Sequence, residues 1–187
     1  MPAITTNDLK NGITLQLDNG LFQVVDFQHV KPGKGGAFVR TKLRNLRSGA
    51  VLERTFNAGV RVEQAIVDRQ DMQFLYRDGD DYVFMHTSTY DQIHVPPVAL
   101  GSAADYLVEQ AVAQIARYHD EIIGVEIPAS AELTIAETEP GVQGDRVSGA
   151  RKPARLETGK QVQVPLFVET GDRIRVDTRT GEYITRV

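Results

Sequence analysis

Lys34 is the residue whose surroundings most clearly suggest chemistry. It lies between Gly33 and Gly35 and is followed by Gly36. Glycines on both sides remove side-chain bulk, so the amine projects alone and can enter a narrow space. A lysine presented in this way is either a cation that reaches a partner or a substrate for covalent modification. The alternative is a solvated residue in an ordinary turn, and the residue types alone leave both interpretations open.

The segment around Lys34 is basic. No acidic residue occurs from Phe27 to Leu52. The same stretch holds six cations, which are Lys31, Lys34, Arg40, Lys42, Arg44 and Arg47. Cations without a counter-charge create a local field that attracts phosphate groups. The alternative is a solvated sheet face whose charges keep an edge strand from aggregating.

Other reactive patterns are weak. The segment from Gly33 to Phe38 lacks both the upstream glycine and the following Ser or Thr of a phosphate-binding P-loop, and it fails the dinucleotide fingerprint at its last position. The four histidines show no metal-ligand spacing, and Ser88 and Ser102 have no nearby base in a recognisable arrangement. We therefore predict no catalytic residue, no metal site and no cofactor. The residues offer no argument for an enzyme.

The composition is that of an ordinary globular protein. Of 187 residues, 41% are hydrophobic and 25% are charged, and cysteine is absent. The lack of cysteine excludes disulfides, thiolate zinc sites and thiol nucleophiles. No apolar run approaches the roughly 18 to 20 residues of a membrane-spanning helix, and the N-terminal residues do not have the regions of a signal peptide. We expect a cytoplasmic protein that does not contact a membrane.

Charge is distributed unevenly along the chain. Residues 1–64, 65–128 and 129–187 carry formal net charges of plus 4, minus 8 and zero. Interspersed charges would not produce such a contrast, so the three segments are expected to face different surroundings. Turn dipeptides recur at short intervals, which favours several small β-rich modules of about 60 residues. Three such modules would account for the length.

The first segment is predicted to be a small antiparallel barrel. Alternating apolar and polar residues at 13–17 and 21–25 flank Asp18-Asn19-Gly20, and Asn-Gly between such runs is a strong hairpin signal because both turn positions need a positive φ. A second hairpin is expected to join residues 22–30 to 37–43 through the loop that carries Lys34. A turn at residues 47–50 leads into a strand at 51–56.

The rest of the chain contains a hairpin signal, a helical pattern and several short strand patterns. Residues 72–76 and 82–86 flank Asp78-Gly79 as a hairpin. Apolar residues from 104 to 115 follow helical spacing, and Ser102 and Asp105 are placed as a capping box. Periodicity therefore predicts one helix that ends at about Arg117. The alternative for residues 112–118 is a strand. Strands are expected at 131–135, 161–168, 173–176 and 183–187. Val164-Pro165 indicates an edge or a bulge, because proline cannot donate to a ladder.

Several separate segments resemble the bacterial elongation factor P family, and together they span nearly the whole chain. They are the tip hairpin at 27–38, Thr55-Phe-Asn-Ala-Gly59 and the turn at 74–79. Residues 152–171 also fit the family signature K-x-A-x-x-x-x-G-x-x-V-x-V-P-x-x-V-x-x-G at every defined position. A match with these fixed gaps is a specific signal.

The resemblance implies a mainly β fold of three small β-barrel domains. An SH3-like or KOW-like N-terminal domain at 1–64 is followed by OB-fold domains at 65–128 and 129–187, in an L-shaped arrangement like that of tRNA. The resemblance also replaces the long helix with a short one that ends near Glu109 and a strand over 112–118. We adopt this version in preference to the one from periodicity.

The resemblance further implies a translation elongation factor. Such a protein is a monomer that binds the 70S ribosome, its rRNA and the peptidyl-tRNA in the P site, and it relieves stalling at consecutive prolines. Lys34 would reach toward the tRNA acceptor end from a tip loop that also includes Pro32, Gly33, Gly35 and Gly36. The candidates for RNA contact are His29, Lys31, Arg40, Lys42 and Arg44.

Two further sites follow from the resemblance alone. A lysine-modifying enzyme acts on the tip lysine in many members, and Gly36 stands where members with an unmodified lysine usually have proline, which favours modification here. A loop of the third domain would contact the codon through Gly144 and Asp145, although Arg146 departs from the family pattern.

A different class of function is also compatible with the barrels and the basic stretch. An OB-type RNA-binding or ribosome-assembly protein would use both features but would give Lys34 no special role. Replacing Lys34 by alanine distinguishes these hypotheses.

Overall fold

The computed structural model describes residues 2–141 and 149–187. These residues form strands and turns with little helix. The chain divides into two compact units, Met1–Arg69 with Ala116–Gly124 and Gln70–Ile115 with Val125–Val187. Within the described residues, no helix has both the length and the apolar character needed to cross a membrane.

The first sheet has six strands in the order β1-β6-β2-β3-β4-β5, and a short 3-10 helix at Thr6–Asp8 follows β1. The strands are β1 Ala3–Thr5, β2 Thr14–Leu17, β3 Gly20–Val30, β4 Phe38–Asn45, β5 Val51–Asn57 and β6 Arg61–Ala65. The core of this sheet is a cluster of buried aliphatic side chains, consisting of Leu9, Leu15, Val24, Val39, Leu43 and Val62. β3 and β4 are longer than β2 and β6, and they form the hairpin predicted from the sequence.

The hairpin between β2 and β3 is confirmed, but its turn lies one residue earlier than the Asn-Gly signal indicates. Leu17 pairs with Gly20, so the two turn residues are Asp18 and Asn19. Their φ angles are 47° and 62°, which a two-residue type I′ turn requires at both positions. Asp and Asn tolerate this left-handed region better than other non-glycine residues.

The second sheet has five strands in the order β11-β10-β7-β8-β9. They are β7 Asp68–Asp78, β8 Asp81–His86, β9 Gln92–Val95, β10 Val112–Tyr118 and β11 Glu121–Glu126. The predicted hairpin is confirmed, since Asp78 pairs with Asp81 across a turn in which Gly79 has a φ of 60°. Phe74, Val83 and Phe84 from β7 and β8 are buried.

The long helix predicted from periodicity is wrong. A one-turn helix, α1 Pro97–Leu100, leads into a 3-10 helix at Gly101–Tyr106, and the chain then becomes extended. Gln110 has a φ of 72°, and its backbone N–H donates to the carbonyl of Phe74, so hydrogen bonding to β7 replaces helical hydrogen bonding. The strand that the family resemblance implied, β10, is present with the same bounds. The short helix ends at Tyr106 rather than near Glu109.

The predicted capping box is also wrong. Ser102 already lies inside the 3-10 helix, whose N-terminal residue makes no side-chain cap. The carboxylate of Asp105 instead accepts a hydrogen bond from the ammonium of Lys160 at 3.1 Å. The side chain of Asp105 therefore forms a tertiary hydrogen bond instead of the local cap that the sequence pattern predicts.

The third sheet has five strands in the order β14-β13-β12-β15-β16. They are β12 Ser130–Thr138, β13 Arg151–Leu156, β14 Gln161–Pro165, β15 Arg173–Asp177 and β16 Tyr183–Arg186. β14 is an edge strand, which confirms the prediction from Val164-Pro165. The core packed against the third sheet contains buried Leu133, Ile135, Leu156, Val164 and Ile174 among others.

Strand β13 was not predicted from the sequence, because a lysine occupies one of its inward positions. Lys152, Ala154 and Leu156 alternate as buried residues, and Lys152 is only 6% exposed. The ammonium of Lys152 donates a hydrogen bond of 2.6 Å to the carbonyl of Glu139. A buried cation of this kind breaks the apolar alternation by which strands are predicted.

Candidate functional site

The basic loop is the tip of the hairpin formed by β3 and β4. The last pair of the ladder is Val30 with Phe38, so the tip comprises residues 31–37. The backbone N–H of Ala58 donates to the carbonyl of Ala37 at 2.9 Å and fixes the C-terminal end of the tip. Val39, the next residue of β4, is fully buried. The tip is therefore a short loop carried directly by a packed two-stranded arm.

Every residue from Lys31 to Gly36 is exposed, and Lys34 lies at the centre of this run. The three glycines beside Lys34 differ in what their backbone requires. Gly35 has a φ of 110°, which lies outside the regions that other residues adopt readily. Gly33 and Gly36 do not have a positive φ, and a Cβ at either position would meet no atom within 4 Å. Only Gly35 is thus a conformational requirement of the tip.

Three of the predicted RNA-contacting residues share one face of the hairpin. Arg40, Lys42 and Arg44 alternate along β4 with buried Val39, Thr41 and Leu43. Side chains two residues apart along a strand point to the same side, so the three cations project outward together. The structure thus places these three candidates on one face of β4.

Acidic residues from the neighbouring strands also reach this face. Lys42 is in register with Asp26 of β3 and with Glu53 of β5, which lie just outside the acid-free stretch. Arg44 donates a hydrogen bond of 2.6 Å to the side-chain oxygen of Gln23. The expectation of cations without counter-charges is therefore wrong at Lys42, because strand pairing places one carboxylate on each side of it.

Arg47, the sixth cation of the basic stretch, is not part of this face. Its guanidinium makes two hydrogen bonds to the carboxylate of Glu121, at 2.7 and 3.1 Å. Hydrogen bonding and the nearby negative charge raise the pKa of Arg47 above its ordinary value. This side chain has a structural partner within its own compact unit.

His29 lies on the opposite side of the hairpin from Arg40, Lys42 and Arg44. It pairs with Val39, whose side chain points into the core, and it shares its face with Phe27. The rings of Phe27 and His29 meet edge to face with centroids 5.6 Å apart. Lys31 begins the tip loop and is exposed. The five candidates are thus divided between two faces and the tip.

The predicted codon-side residues Gly144 and Asp145, like Arg146, lie outside the described residues. Described residues before and after this segment are hydrogen-bonded. Lys152 binds the carbonyl of Glu139, and the backbone N–H of Thr138 donates to the hydroxyl of Thr170 at 3.2 Å.

No group of side chains in residues 2–141 and 149–187 has the composition and spacing of a metal site. His94 approaches Asp78 and Asp81 at 3.8 and 4.0 Å on the exposed hairpin of β7 and β8. These are distances of loose surface contacts, which contribute little to stability.

Three family models match successive parts of the chain. The elongation factor P KOW-like domain matches residues 5–62, the elongation factor P OB domain matches residues 67–125, and the elongation factor P C-terminal domain matches residues 131–186. The predicted fold class, a mainly β protein with a KOW-like domain followed by OB domains, is confirmed. The boundaries after residues 64 and 128 stay a prediction.

Relatives of similar length resemble the chain along almost its full extent. Elongation factor P of Parafrankia sp. (strain EAN1pec) is 60% identical over 183 residues, covering 98% of each chain. Elongation factor P of Acidothermus cellulolyticus is 60% identical over 182 residues, covering 97% of each. Elongation factor P of Streptomyces coelicolor is 60% identical over 184 residues, covering 98% of each.

A solved structure shares part of the fold. Eukaryotic translation initiation factor 5A from Methanococcus jannaschii is 25% identical with a TM-score of 0.53, covering 68% of this chain and 92% of its own. The fold and the relatives define a translation factor of several β domains. The chain belongs to the elongation factor P family, and the resemblance predicted from its motifs is confirmed. Its role is that of a translation elongation factor.

Proposed function

We propose that the chain binds the 70S ribosome beside the peptidyl-tRNA in the P site and stimulates peptide-bond formation at consecutive prolines. The observation that carries the proposal is the exposed Lys34 at the tip of the hairpin formed by β3 and β4. Three consecutive domains, divided near residues 64 and 128, would provide the length needed to contact several parts of the particle.

The chemistry required of the protein is positioning. Proline reacts slowly and constrains the nascent chain, so holding the peptidyl-tRNA in attack geometry raises the rate without any covalent step by the protein. A rate gain of roughly 10- to 1,000-fold corresponds to about 1.4 to 4 kcal/mol. The free energy that a few phosphate contacts and one positioned amine contribute is of this magnitude.

The outward face of β4 supports a role in binding RNA phosphates. Arg40 and Arg44 present guanidinium groups, which suit phosphate geometry, two residues apart on each side of Lys42. Asp26 and Glu53 reduce the field at Lys42, so this residue contributes less to phosphate binding. Lys31 and Lys34 extend the basic surface to the tip, and His29 would contact RNA only from the other face.

Modification of Lys34 is part of the proposal. The exposure of the whole run from Lys31 to Gly36 gives a lysine-modifying enzyme access to the ammonium. The open space around Gly33 and Gly36 leaves room for an extended side chain. Extension would lengthen the reach of the amine toward the acceptor end while it keeps a positive charge.

The test is reconstituted translation of a message that encodes three consecutive prolines. A message with three alanines at the same codons serves as the reference. The factor is purified from its native host, its intact mass is measured, and it is compared with Lys34→Ala and with Lys10→Ala. Lys10 is an exposed lysine in a turn of the same unit, so its replacement removes the same charge away from the tip.

We expect the factor and Lys10→Ala to relieve the proline stall, and Lys34→Ala to lose this activity without a change at alanine codons. Equal activity of Lys34→Ala and Lys10→Ala would contradict the proposal. A small, equal loss of RNA affinity in both variants, without any rescue of prolines by the native factor, would instead support the OB-type RNA-binding or ribosome-assembly protein.

A further inference from the structure

The motif Thr55-Phe-Asn-Ala-Gly59 runs from β5 into a tight turn that leads to β6. The backbone N–H of Val60 donates to the carbonyl of Asn57 at 3.4 Å, and Gly59 has a φ of 78°. A type II turn requires a positive φ at this third position. We refer to residues 57–60 as the Asn57 turn.

The Asn57 turn lies next to the C-terminal end of the tip loop. Asn57 is in register with Phe38, the first residue of β4, and Phe38 also forms the last pair of the hairpin with Val30. The N–H of Ala58 donates to the carbonyl of Ala37, the last residue of the tip, at 2.9 Å. The position of the turn therefore determines where this end of the tip lies.

A buried threonine binds both ends of the Asn57 turn. Thr6 is 0% exposed, and its hydroxyl donates a hydrogen bond of 2.9 Å to the carbonyl of Asn57. The backbone N–H of Thr6 donates to the carbonyl of Val60, also at 2.9 Å. One residue from the N-terminal segment thus holds the turn on which the end of the tip depends.

The backbone that presents the Thr6 hydroxyl is held by contacts that do not involve the tip. Thr6 begins a 3-10 helix that ends at Asp8. The carboxylate of Asp8 accepts hydrogen bonds from the backbone N–H and the hydroxyl of Thr5, at 3.0 and 2.6 Å. The preceding strand β1 pairs with β6. Thr6 is therefore a fixed point from which the turn is positioned.

The Thr6 hydroxyl is not needed to fill space. A valine has nearly the same shape, and at a buried position it avoids the cost of removing a polar group from water. The hydroxyl offsets that cost through its hydrogen bond to Asn57. Its contribution beyond packing is therefore to hold the carbonyl of the turn.

We propose that Thr6 is a positioning residue for Lys34, because its hydroxyl fixes the Asn57 turn and the turn fixes the end of the tip loop. The inference rests on the proposed function, since it takes Lys34 to be the residue that acts on the ribosome. Thr6 is buried and acts through the turn, not by contact with RNA. Breaking one neutral hydrogen bond lowers the equilibrium constant for holding the turn by roughly 2- to 12-fold.

The test compares Thr6→Val, which removes the hydroxyl at nearly constant volume, with Thr6→Ser, which keeps it. Thr178→Val is the matched control. Thr178 is 8% exposed, its hydroxyl donates to the carbonyl of Pro128 at 2.6 Å, and its N–H donates to the carbonyl of Ala129 at 2.9 Å. The control therefore breaks the same kind of hydrogen bond in the other compact unit.

Amide hydrogen exchange of the chain without ribosomes, followed by NMR, measures how firmly the turn is held. We expect the protection of the Ala58 N–H to fall by roughly 2- to 12-fold in Thr6→Val, and by less than about 2-fold in Thr6→Ser and Thr178→Val. The reference is the N–H of Val24, which donates to the carbonyl of Ile13 at 2.8 Å in the same unit. A fall at Val24 without one at Ala58 would show that the hydroxyl stabilises the unit without holding the tip, and would overturn the inference.

Proline rescue is measured with the three-proline message over a range of factor concentrations. A binding-competent conformation that is populated less often gives a proportionally weaker apparent affinity. We expect the half-saturating concentration of Thr6→Val to rise, by no more than the fall in Ala58 protection, while the maximal rate is retained. Thr6→Ser and Thr178→Val should behave like the original chain.

The two proposals can fail separately. A lowered Ala58 protection with an unchanged half-saturating concentration overturns the role of Thr6 alone, and so does an equal rise in Thr6→Val and Thr178→Val. If the original chain does not relieve the proline stall, the proposed function fails and the role of Thr6 fails with it.

Discussion

Replacing Gly35 by alanine tests whether the tip needs a particular backbone conformation or only small residues. At a φ of 110°, an alanine would be strained, whereas a Cβ there would meet only Pro32 Cγ, at an ordinary distance of 3.9 Å. The substitution therefore changes backbone energy without a steric clash. A residue held in a sparsely populated backbone region costs of order 1 to 3 kcal/mol.

That cost lowers the population of the tip conformation seen here by about 5- to 150-fold. We expect Gly35→Ala to reduce proline rescue by a factor in this range when the factor is below saturation, and less so at high concentration. Gly36→Ala is the matched control, because its Cβ enters open space at an ordinary φ. We expect it to change rescue by less than about 2-fold, with a slight gain in stability from a less flexible unfolded chain.

The assay is the initial rate of full-length product from the three-proline message, measured over a range of factor concentrations. Equal rescue by Gly35→Ala and the original chain would refute the conformational argument. Equal loss in Gly33→Ala, Gly35→Ala and Gly36→Ala would show that the glycines serve to clear a narrow passage instead.

Two further predictions concern stability. Lys152→Met should lower the free energy of unfolding in urea by about 1 to 3 kcal/mol, because the carbonyl of Glu139 loses its charged donor; a gain in stability would show that the cost of burying the ammonium is larger. Hydrogen bonds from Arg179 lower the pKa of Asp177 to about 2 from an ordinary 3.8, so its stabilising effect is complete above about pH 5 and is lost as the pH falls toward 2. The melting temperatures of the original chain and Asp177→Asn should therefore converge over that interval, and a difference independent of pH would contradict the assigned cause.

The hairpins were predictable because their signals are local. The turn between β2 and β3 needs two residues that tolerate a positive φ, and the segment Asp18-Asn19-Gly20 offers such residues at every position. The pattern could not decide which pair forms the turn, because that depends on the register of Leu17 with Gly20. The tip hairpin was located correctly for the same local reason.

The features that sequence reasoning missed depend on contacts between distant segments. The sequence pattern does not predict β13, because Lys152 occupies an inward position of the strand. The ammonium of Lys152 is hydrogen-bonded to the carbonyl of Glu139, thirteen residues away. Apolar spacing predicts a helix around Gln110. The extended form is favoured instead because Gln110 donates a hydrogen bond to Phe74 of β7. Both errors arise where tertiary hydrogen bonds outweigh local preference.

The charge distribution around the candidate site also depends on contacts between segments that are distant in the sequence. Counting charges along the chain suggested an uncompensated basic stretch, but pairing of β4 with β3 and β5 brings Asp26 and Glu53 beside Lys42. Alternation along β4 places Arg40 and Arg44 on the same face. It could not show that His29, on the other strand, points to the opposite side.

The position of the tip on the ribosome can be measured directly, because the chain has no cysteine and a single introduced one can be labelled selectively. Gly36→Cys places a tethered iron chelate beside Lys34, and Ser48→Cys places it in the exposed turn at the far end of β4, about 25 Å away for eight extended residues. Hydroxyl radicals released from the chelate cleave nearby RNA. With labelled proteins that still relieve the proline stall, we predict cleavage of the acceptor end of the P-site tRNA from position 36 and none there from position 48. Intact acceptor ends in both complexes, or cleavage from position 48 alone, would contradict the claim that the hairpin delivers Lys34 to the peptidyl-tRNA.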